Sequence, residues 1–156
     1  MSRDALELVA IRNTLAAYNL AGDRLRIEAL AATFLENGVL ATPTATYRGR
    51  AEIVAGLGGS RSPGAAPAGP RPTLVRHNLT TSHIALTSPQ TAEGRTYFMV
   101  LTDIGLDHAG HYVDRLRKTD GAWLFEHRDV RVDWISDASL FPALQAAHKA
   151  RTSRNA

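Results

Sequence analysis

The stretch LVRHNLTTSHIAL, residues Leu74–Leu86, is the first of four strand-like runs that fill the second half of the chain. It is rich in Leu, Val, Ile and Thr and follows a loop of Pro and Gly, which favours a strand over a helix. Side chains alternate across a strand. One face is therefore predicted to carry His77, Leu79, Thr81, His83 and Ala85. This mixed face suits the wall of a partly polar cavity, and equally an ordinary strand whose histidines reach solvent.

The four strand-like runs cover residues 73–87, 92–106, 110–118 and 122–135. Their joints are short, at Ser88-Pro89-Gln90, Asp107–Gly110 and Thr119-Asp120-Gly121, and the last two are typical hairpin signals. Long strands joined by short turns predict an antiparallel meander.

The first half of the chain has helical spacing of its apolar residues, interrupted by one small hairpin. Asp23 stands directly before the second helix, where a capping carboxylate is common. Helices segregated from an antiparallel sheet indicate an α+β fold. The predicted helices cover residues 3–20, Arg24–Leu35, Arg50–Leu57 and Ala138–Lys149, and the hairpin joins Val39–Thr42 to Ala45–Arg48.

Length and composition predict one domain over residues 1–156. Residues 59–72 are nearly all Gly, Pro, Ala, Ser and Arg, which predicts a flexible loop, either a lid or a neutral insertion. Residues 150–156 are expected to form a disordered tail.

Composition argues against several classes of protein: membrane proteins, thiol-dependent enzymes and nucleic-acid-binding proteins. No apolar run approaches the roughly 20 residues that span a bilayer, and the charged N-terminus does not resemble a secretory signal, so we expect a cytoplasmic protein without membrane partners. The chain has no cysteine, which excludes disulfides and thiolate nucleophiles. The net charge of +3 comes with no basic stripe interleaved with aromatic residues, so no nucleic-acid partner is expected.

The order of these elements resembles the SnoaL-like branch of the NTF2-like superfamily. The resemblance covers nearly the whole chain and rests on the following pieces: Tyr18, Asp23, Leu30–Phe34, Tyr47-Arg48-Gly49, His77, GHYVDRLR at Gly110–Arg117 and GAWLFEHR at Gly121–Arg128. It implies a cone-shaped α+β fold in which three N-terminal helices pack on a curved antiparallel sheet, followed by a short C-terminal helix. It also implies a homodimer or homotrimer formed through the outer face of the sheet.

Enzymes of this group include scytalone dehydratase, a hexachlorocyclohexane dehydrochlorinase and polyketide cyclases. The resemblance implies a catalytic dyad of Asp23 and His77, and a catalytic arginine at Arg128, a few residues after Trp123. The dehydrochlorinase has a lysine near the position of Tyr18, and the second catalytic histidine of scytalone dehydratase has no identified counterpart. The fold also includes transport factors and dioxygenase β-subunits, which are not enzymes by themselves.

Such a dyad is suited to cofactor-independent lyase or isomerase chemistry. A neutral imidazole can take a proton from carbon or oxygen, and a carboxylate on its other nitrogen fixes the tautomer. Arg128 would stabilise a developing negative charge. We expect a small apolar, cyclic or polyketide-like substrate, and no metal or cofactor. The predicted substrate-binding residues are Tyr18, Tyr47, Tyr97, Tyr112 and Asp114.

Several alternatives remain open from the sequence. Asp23 could simply cap a helix, and Arg128 could pair with Glu126 or Asp114. The spacing of His108 and His111 is a weak metal signal because it places them on opposite faces of a strand, and we predict no metal site. For the protein as a whole, the alternatives are a cyclase or hydrolase with an activated water facing Asp23, and a non-catalytic binding module whose cavity is filled by its own side chains.

Overall fold

The structure is a computed structural model that describes residues 2–58 and 72–154. The elements, in chain order, are α1 (Arg3–Asp23), α2 (Ile27–Ala31), β1 (Phe34–Ala41), β2 (Thr46–Arg48), α3 (Arg50–Gly58), β3 (Val75–Ser88), β4 (Thr91–Thr102), β5 (Gly105–Thr119), β6 (Ala122–Ile135) and α4 (Pro142–Thr152). No helix in these ranges is long and apolar enough to cross a membrane.

The strands form a single six-stranded sheet in the order β2-β1-β6-β5-β4-β3. The predicted antiparallel meander is confirmed for β3 to β6. The predicted hairpin is also present, but it extends the sheet, because β1 pairs in parallel with β6, with Leu40 opposite Arg128. The sheet is therefore mixed and not antiparallel throughout. This pairing covers the edge of β6 and buries Phe34 and Leu40 completely.

Helix α1 is fixed across the inner face of the sheet by polar contacts along its first half. The Glu7 carboxylate accepts hydrogen bonds from Lys118 Nζ at 2.6 Å and from Trp123 Nε1 at 2.7 Å. Thr14 Oγ1 donates to the Trp123 carbonyl oxygen at 2.7 Å. With Ile11 and Leu15 buried below it, the helix brings its C-terminal end to the start of β3.

The junction between the first two helices differs from the prediction. Helix α1 continues through Gly22 to Asp23, and a positive φ of 55° at Leu25 ends it. Asp23 therefore does not cap α2, which starts after Arg26 and has no side-chain cap. Residues from Phe34 onward form β1 and not the end of a long second helix. The Phe34 ring packs against Phe125, with ring centroids 5.2 Å apart, so tertiary packing overrides the helical pattern.

Strand β3 does not keep one alternation along its length. Leu79 pairs with Phe98 and Ser82 pairs with Thr96, so two residues of β3 lie opposite one residue of β4. This β-bulge reverses the faces. Val75, His77 and Leu79 face inward before it, and Ser82, Ile84 and Leu86 face inward after it. The predicted shared face of His77, Thr81, His83 and Ala85 is therefore wrong beyond Leu79.

Two boundaries near the C-terminus also differ. The turn between β4 and β5 lies at Asp103-Ile104, four residues before the predicted joint, and Gly105 has a φ of +88°. Helix α4 starts at Pro142, where the missing N–H is tolerated. It continues to Thr152, so residues 150–152 are helical and not part of a disordered tail. The predicted 59–72 loop lies outside the described residues except for Pro72.

Candidate active site

The helical layer and the inner face of the sheet line a cavity of about 610 Å³. The end of α1, the tip of the β1–β2 hairpin, the inner residues of β3 to β6 and the segment before α4 all contribute to its wall. The wall is mostly apolar. Its polar and ionisable members include Tyr18, Asn19, Asp23, His77, His108 and Tyr112.

Asp23 and His77 meet at the wall of this cavity. His77 Nδ1 lies 2.6 Å from Asp23 Oδ1. The backbone N–H of His77 donates to Asp23 Oδ2 at 3.1 Å, so the carboxylate is held by two groups of the same residue. The Asp23 side chain is 6% exposed and that of His77 is 25% exposed. In a neutral imidazole, a carboxylate at Nδ1 favours the tautomer with the proton on that nitrogen and the lone pair on Nε2.

The same cavity contains a second carboxylate–imidazole pair that sequence reasoning missed. His108 Nδ1 lies 2.8 Å from Asp107 Oδ1, and both residues are buried. Asp107 also accepts hydrogen bonds from Ser139 Oγ at 2.7 Å and from the Leu140 N–H at 2.9 Å. Asp107 thus connects His108 to the segment before α4, which forms one wall of the cavity.

The electrostatics of this second pair favour a neutral imidazole beside an ionised carboxylate. Burial lowers the pKa of His108, although the hydrogen bond and the charge of Asp107 oppose it; the nearby His77 lowers it further. Burial by itself raises the pKa of Asp107, but the hydrogen bonds from His108, Leu140 and Ser139 outweigh it, and the pKa of Asp107 is lowered.

A signal for His108 exists in the sequence. In a strand every second residue shares a face, so Tyr112, Gly110 and His108 are expected on the same face of the strand that contains GHYVDRLR. The misplaced joint at Asp107–Gly110 hid this, because it assigned His108 to a turn.

Tyr18 and Tyr112 form the floor of the cavity. Their rings meet edge to face with centroids 6.0 Å apart, and the Tyr112 hydroxyl donates to Asn19 Oδ1 at 2.9 Å. Burial raises the pKa of both phenols, so both remain protonated at neutral pH. Both tyrosines line the cavity, and their role in substrate binding stays a prediction.

Arg128 and Asp114 lie outside the lining of the cavity, contrary to the expected positions. Both side chains are essentially inaccessible, and they form a two-point ion pair: Nε to Oδ1 at 2.8 Å and Nη2 to Oδ2 at 2.7 Å. The guanidinium carbon lies 4.4 Å from the ring centroid of Tyr18 and 3.9 Å from that of Tyr112. The pair therefore supports the floor from below. The alternative that Arg128 pairs with Asp114 is confirmed.

Tyr47 and Tyr97 are also absent from the cavity. Tyr47 is half-buried in β2, where its ring packs so closely over Gly56 of α3 that a Cβ at residue 56 would require the ring to move. Tyr97 is 48% exposed on the outer face of β4, beside His111, whose ring centroid is 6.3 Å away. In the described residues, no group of three or more His, Asp or Glu side chains is arranged to hold a metal ion.

Comparisons with known proteins agree with this architecture. A family model for the SnoaL-like domain matches residues 3–129. No curated protein matches the chain.

Three solved structures illustrate the similarity. A Mycobacterium tuberculosis protein of unknown function is 24% identical, with a TM-score of 0.75, over 94% of this chain and 91% of that one. A Novosphingobium aromaticivorans protein assigned as a scytalone dehydratase is 23% identical, with a TM-score of 0.72, over 86% and 89%. A protein assigned as the β-subunit of an aromatic-ring-hydroxylating dioxygenase from the same organism is 18% identical, with a TM-score of 0.72, over 89% and 97%.

Proposed function

The chain belongs to the SnoaL-like family, and on that premise we propose that it is a cofactor-independent lyase or isomerase in which His77 is the general base. The observation that carries the proposal is the 2.6 Å contact between His77 Nδ1 and Asp23, at the wall of a cavity of about 610 Å³. Cavities of about 300–1,000 Å³ are typical of small-molecule sites. The apolar lining favours a small, largely apolar substrate, cyclic or polyketide-like.

The proposed reaction starts at His77 Nε2. With Nδ1–H donated to Asp23, the Nε2 lone pair takes a proton from a carbon next to a substrate carbonyl. The electron pair moves into an enolate, and the carboxylate of Asp23 stabilises the imidazolium that forms. In an elimination, the enolate then expels a group from the β-carbon, and Nε2–H of His77 returns its proton to that group. In an isomerisation, the proton goes instead to another carbon of the substrate.

Two other groups of the cavity assist in this scheme. The Tyr18 phenol, protonated at neutral pH, donates a hydrogen bond to the substrate carbonyl and stabilises the enolate. Neutral His108, whose Nδ1 is held by Asp107, offers an acceptor at Nε2 for a substrate hydroxyl. Arg128 has no direct part, because it contributes nothing to the cavity wall and acts by supporting Tyr18.

The geometry favours this scheme over the alternatives. A water-activating cyclase or hydrolase requires Asp23 to face a water, whereas its carboxylate is directed to the ring and backbone N–H of His77. A binding module with a filled cavity is disfavoured by the volume between the helices and the sheet.

The test is proton abstraction measured directly. A panel of cyclic β-hydroxyketones is incubated with the protein in deuterated water; exchange of the α-proton is followed by NMR, and formation of conjugated enone by absorbance. We expect His77→Gln and Asp23→Asn each to lower kcat/KM by roughly 10²–10⁴-fold, while circular dichroism shows a retained fold.

His83→Gln is the matched control, since His83 is an exposed histidine on the same strand beyond the bulge. It should retain the full rate. Equal activity in His77→Gln and His83→Gln would refute the role of His77.

A further inference from the structure

A second groove lies directly beside the cavity. Its volume is about 370 Å³, and it runs between the hairpin tip, the end of β6 and the last turns of α4. Thr42, Pro43, Val130 and Val132 line both the groove and the cavity, so the two share one wall. The groove and the cavity are therefore neighbours, separated only by these residues.

The groove is strongly cationic. Its charged lining consists of Arg131 from β6, Arg151 from α4 and Arg154 just after that helix, with Asp129 as the one carboxylate among the described lining residues. His148 of α4 adds an imidazole. This is a concentration of positive charge for a chain whose net charge is only +3.

The three guanidinium groups keep donors available. Arg131 Nε donates to Asp129 at 2.8 Å, Arg151 Nη2 donates to the Val132 carbonyl at 2.6 Å, and Arg154 Nε donates to the Ala150 carbonyl at 3.1 Å. A guanidinium has five N–H donors, so these contacts orient each group and leave other N–H donors for a ligand. The basic end of α4 is favourable for the helix dipole. That effect does not account for Arg131, which comes from a different element and lines the same groove.

We propose that this groove is an anion subsite for the substrate of the neighbouring cavity. The proposal rests on the proposed function for the identity of the cavity as the reaction site. Arginine forks match carboxylate and phosphate oxygens in pairs. The substrate class is therefore an apolar, ring-containing molecule with an anionic arm: a carboxylate of its own or the phosphate of a carrier group. The apolar part occupies the cavity beside His77, and the arm lies across Val130 and Val132 into the groove.

The test is binding by titration calorimetry with three probes that share one apolar part: 4-phenylbutyrate, 4-phenylbutyl phosphate and the neutral 4-phenylbutyramide. We expect at least one anionic probe to bind the wild-type protein about tenfold tighter than the amide. That advantage should fall to about twofold or less in Arg131→Gln/Arg154→Gln. Arg151 is left intact in this variant because its bond to Val132 helps to hold α4. The anion that is preferred, carboxylate or phosphate, identifies the kind of arm.

A charge-matched control is Arg12→Gln/Arg95→Gln, which removes two exposed arginines from α1 and the outer face of β4, away from the groove. It should keep the anion advantage. Equal binding of the amide and both anions by wild type, no anion binding up to about 5 mM, or an equal loss in the two double variants would each overturn the subsite.

The readout is separate from catalysis. His77→Gln should lose turnover of cyclic β-hydroxyketones and still bind the preferred anionic probe tighter than the amide. Loss of the subsite and loss of the proposed reaction are therefore distinguishable.

Discussion

His77 on β3 and His108 on β5 both lie opposite Val100 of the intervening strand β4. Two strand spacings separate them, so their Cα atoms are about 10 Å apart. The Phe98 ring lies between them, with its centroid 6.2 Å from that of each imidazole. Each imidazole is held at Nδ1 by its own carboxylate, Asp23 or Asp107. The inner face of the sheet thus presents two imidazoles to the cavity, each oriented by a carboxylate at Nδ1.

The first prediction concerns the pH dependence of stability. Burial is the main cause that places the pKa of folded His108 below the ordinary value of 6.5. Below pH 6.5 the unfolded chain therefore binds more protons at His108 than the folded chain does. The contribution of His108 to the free energy of unfolding then decreases as the pH falls toward the pKa of the folded state. We expect the free energy of unfolding in urea to decrease less between pH 7.5 and 5.5 in His108→Gln than in the wild type.

Two features make this comparison specific. His127 also has a pKa lowered mainly by burial, but it is present in both proteins and cancels in the difference. His83→Gln, which changes an exposed histidine, should keep the wild-type pH dependence. A pH dependence of His108→Gln identical to that of the wild type would contradict the buried, neutral state of His108.

The second prediction concerns Asp107 as the anchor of the cavity wall. In the wild type, Oδ1 of Asp107 accepts from the Ser139 hydroxyl and Oδ2 accepts from the Leu140 N–H. Asp107→Asn replaces one of these oxygens by an NH2 group, which cannot accept a hydrogen bond, so one of the two donors loses its acceptor. We expect a loss of about 1–3 kcal/mol in stability, with faster hydrogen exchange in residues 139–148 than in β3. Ser139→Ala, which removes only one donor to Asp107, is the milder control. Unchanged exchange in this segment would show that Asp107 does not hold it.

The third prediction concerns the ion pair of Arg128 and Asp114. Removing one partner leaves a buried, uncompensated charge, so Asp114→Asn and Arg128→Met should each lose about 3–5 kcal/mol in chemical denaturation. Arg128→Lys should not recover the lost stability, because an ammonium group cannot reproduce the two-point contact with the Asp114 carboxylate.

The comparison variant for this pair is Arg117→Gln. Arg117 pairs with Glu126 at an exposed site on the same two strands, and its removal should cost only about 0–1 kcal/mol. Equal losses at Arg117 and Arg128 would contradict the structural role of the buried pair.

The fourth prediction concerns self-association, which the resemblance to the SnoaL-like branch implies. The outer face of the sheet exposes large apolar side chains on adjacent strands: Tyr97, Met99 and Leu101 on β4, Leu106 on β5 and Trp134 on β6. We propose that a second copy of the chain covers this face. Light scattering after size exclusion should give a dimer or trimer for the wild type and a monomer for Tyr97→Lys/Met99→Lys.

Val9→Lys tests whether any exposed apolar position has this effect. Val9 is 51% exposed on α1 and lies away from the outer sheet face. The Val9→Lys variant should therefore remain oligomeric. A monomeric wild-type protein, or dissociation by Val9→Lys alone, would contradict an interface on the outer face.

The local pattern of the sequence determined the α+β class, the meander of β3 to β6 and the presence of the hairpin. Alternation and turn residues act over a few positions, so they can be recognised without knowing the fold. The pairing of Asp23 with His77 was reached through the resemblance to the SnoaL-like branch, because no local signal connects residues 54 positions apart.

Tertiary structure decided the remaining features. The bulge in β3 changes which side chains of the strand face inward, and no residue type in that stretch predicts it. The burial of Phe34 turned a predicted helix into β1, and the parallel pairing of β1 with β6 depends on contacts far apart in the chain. Whether Arg128 faces the substrate or Asp114 depends on the strand directly opposite it. Which charges meet, and which of them reach the cavity, follows from packing and burial, and these are properties of the folded chain as a whole.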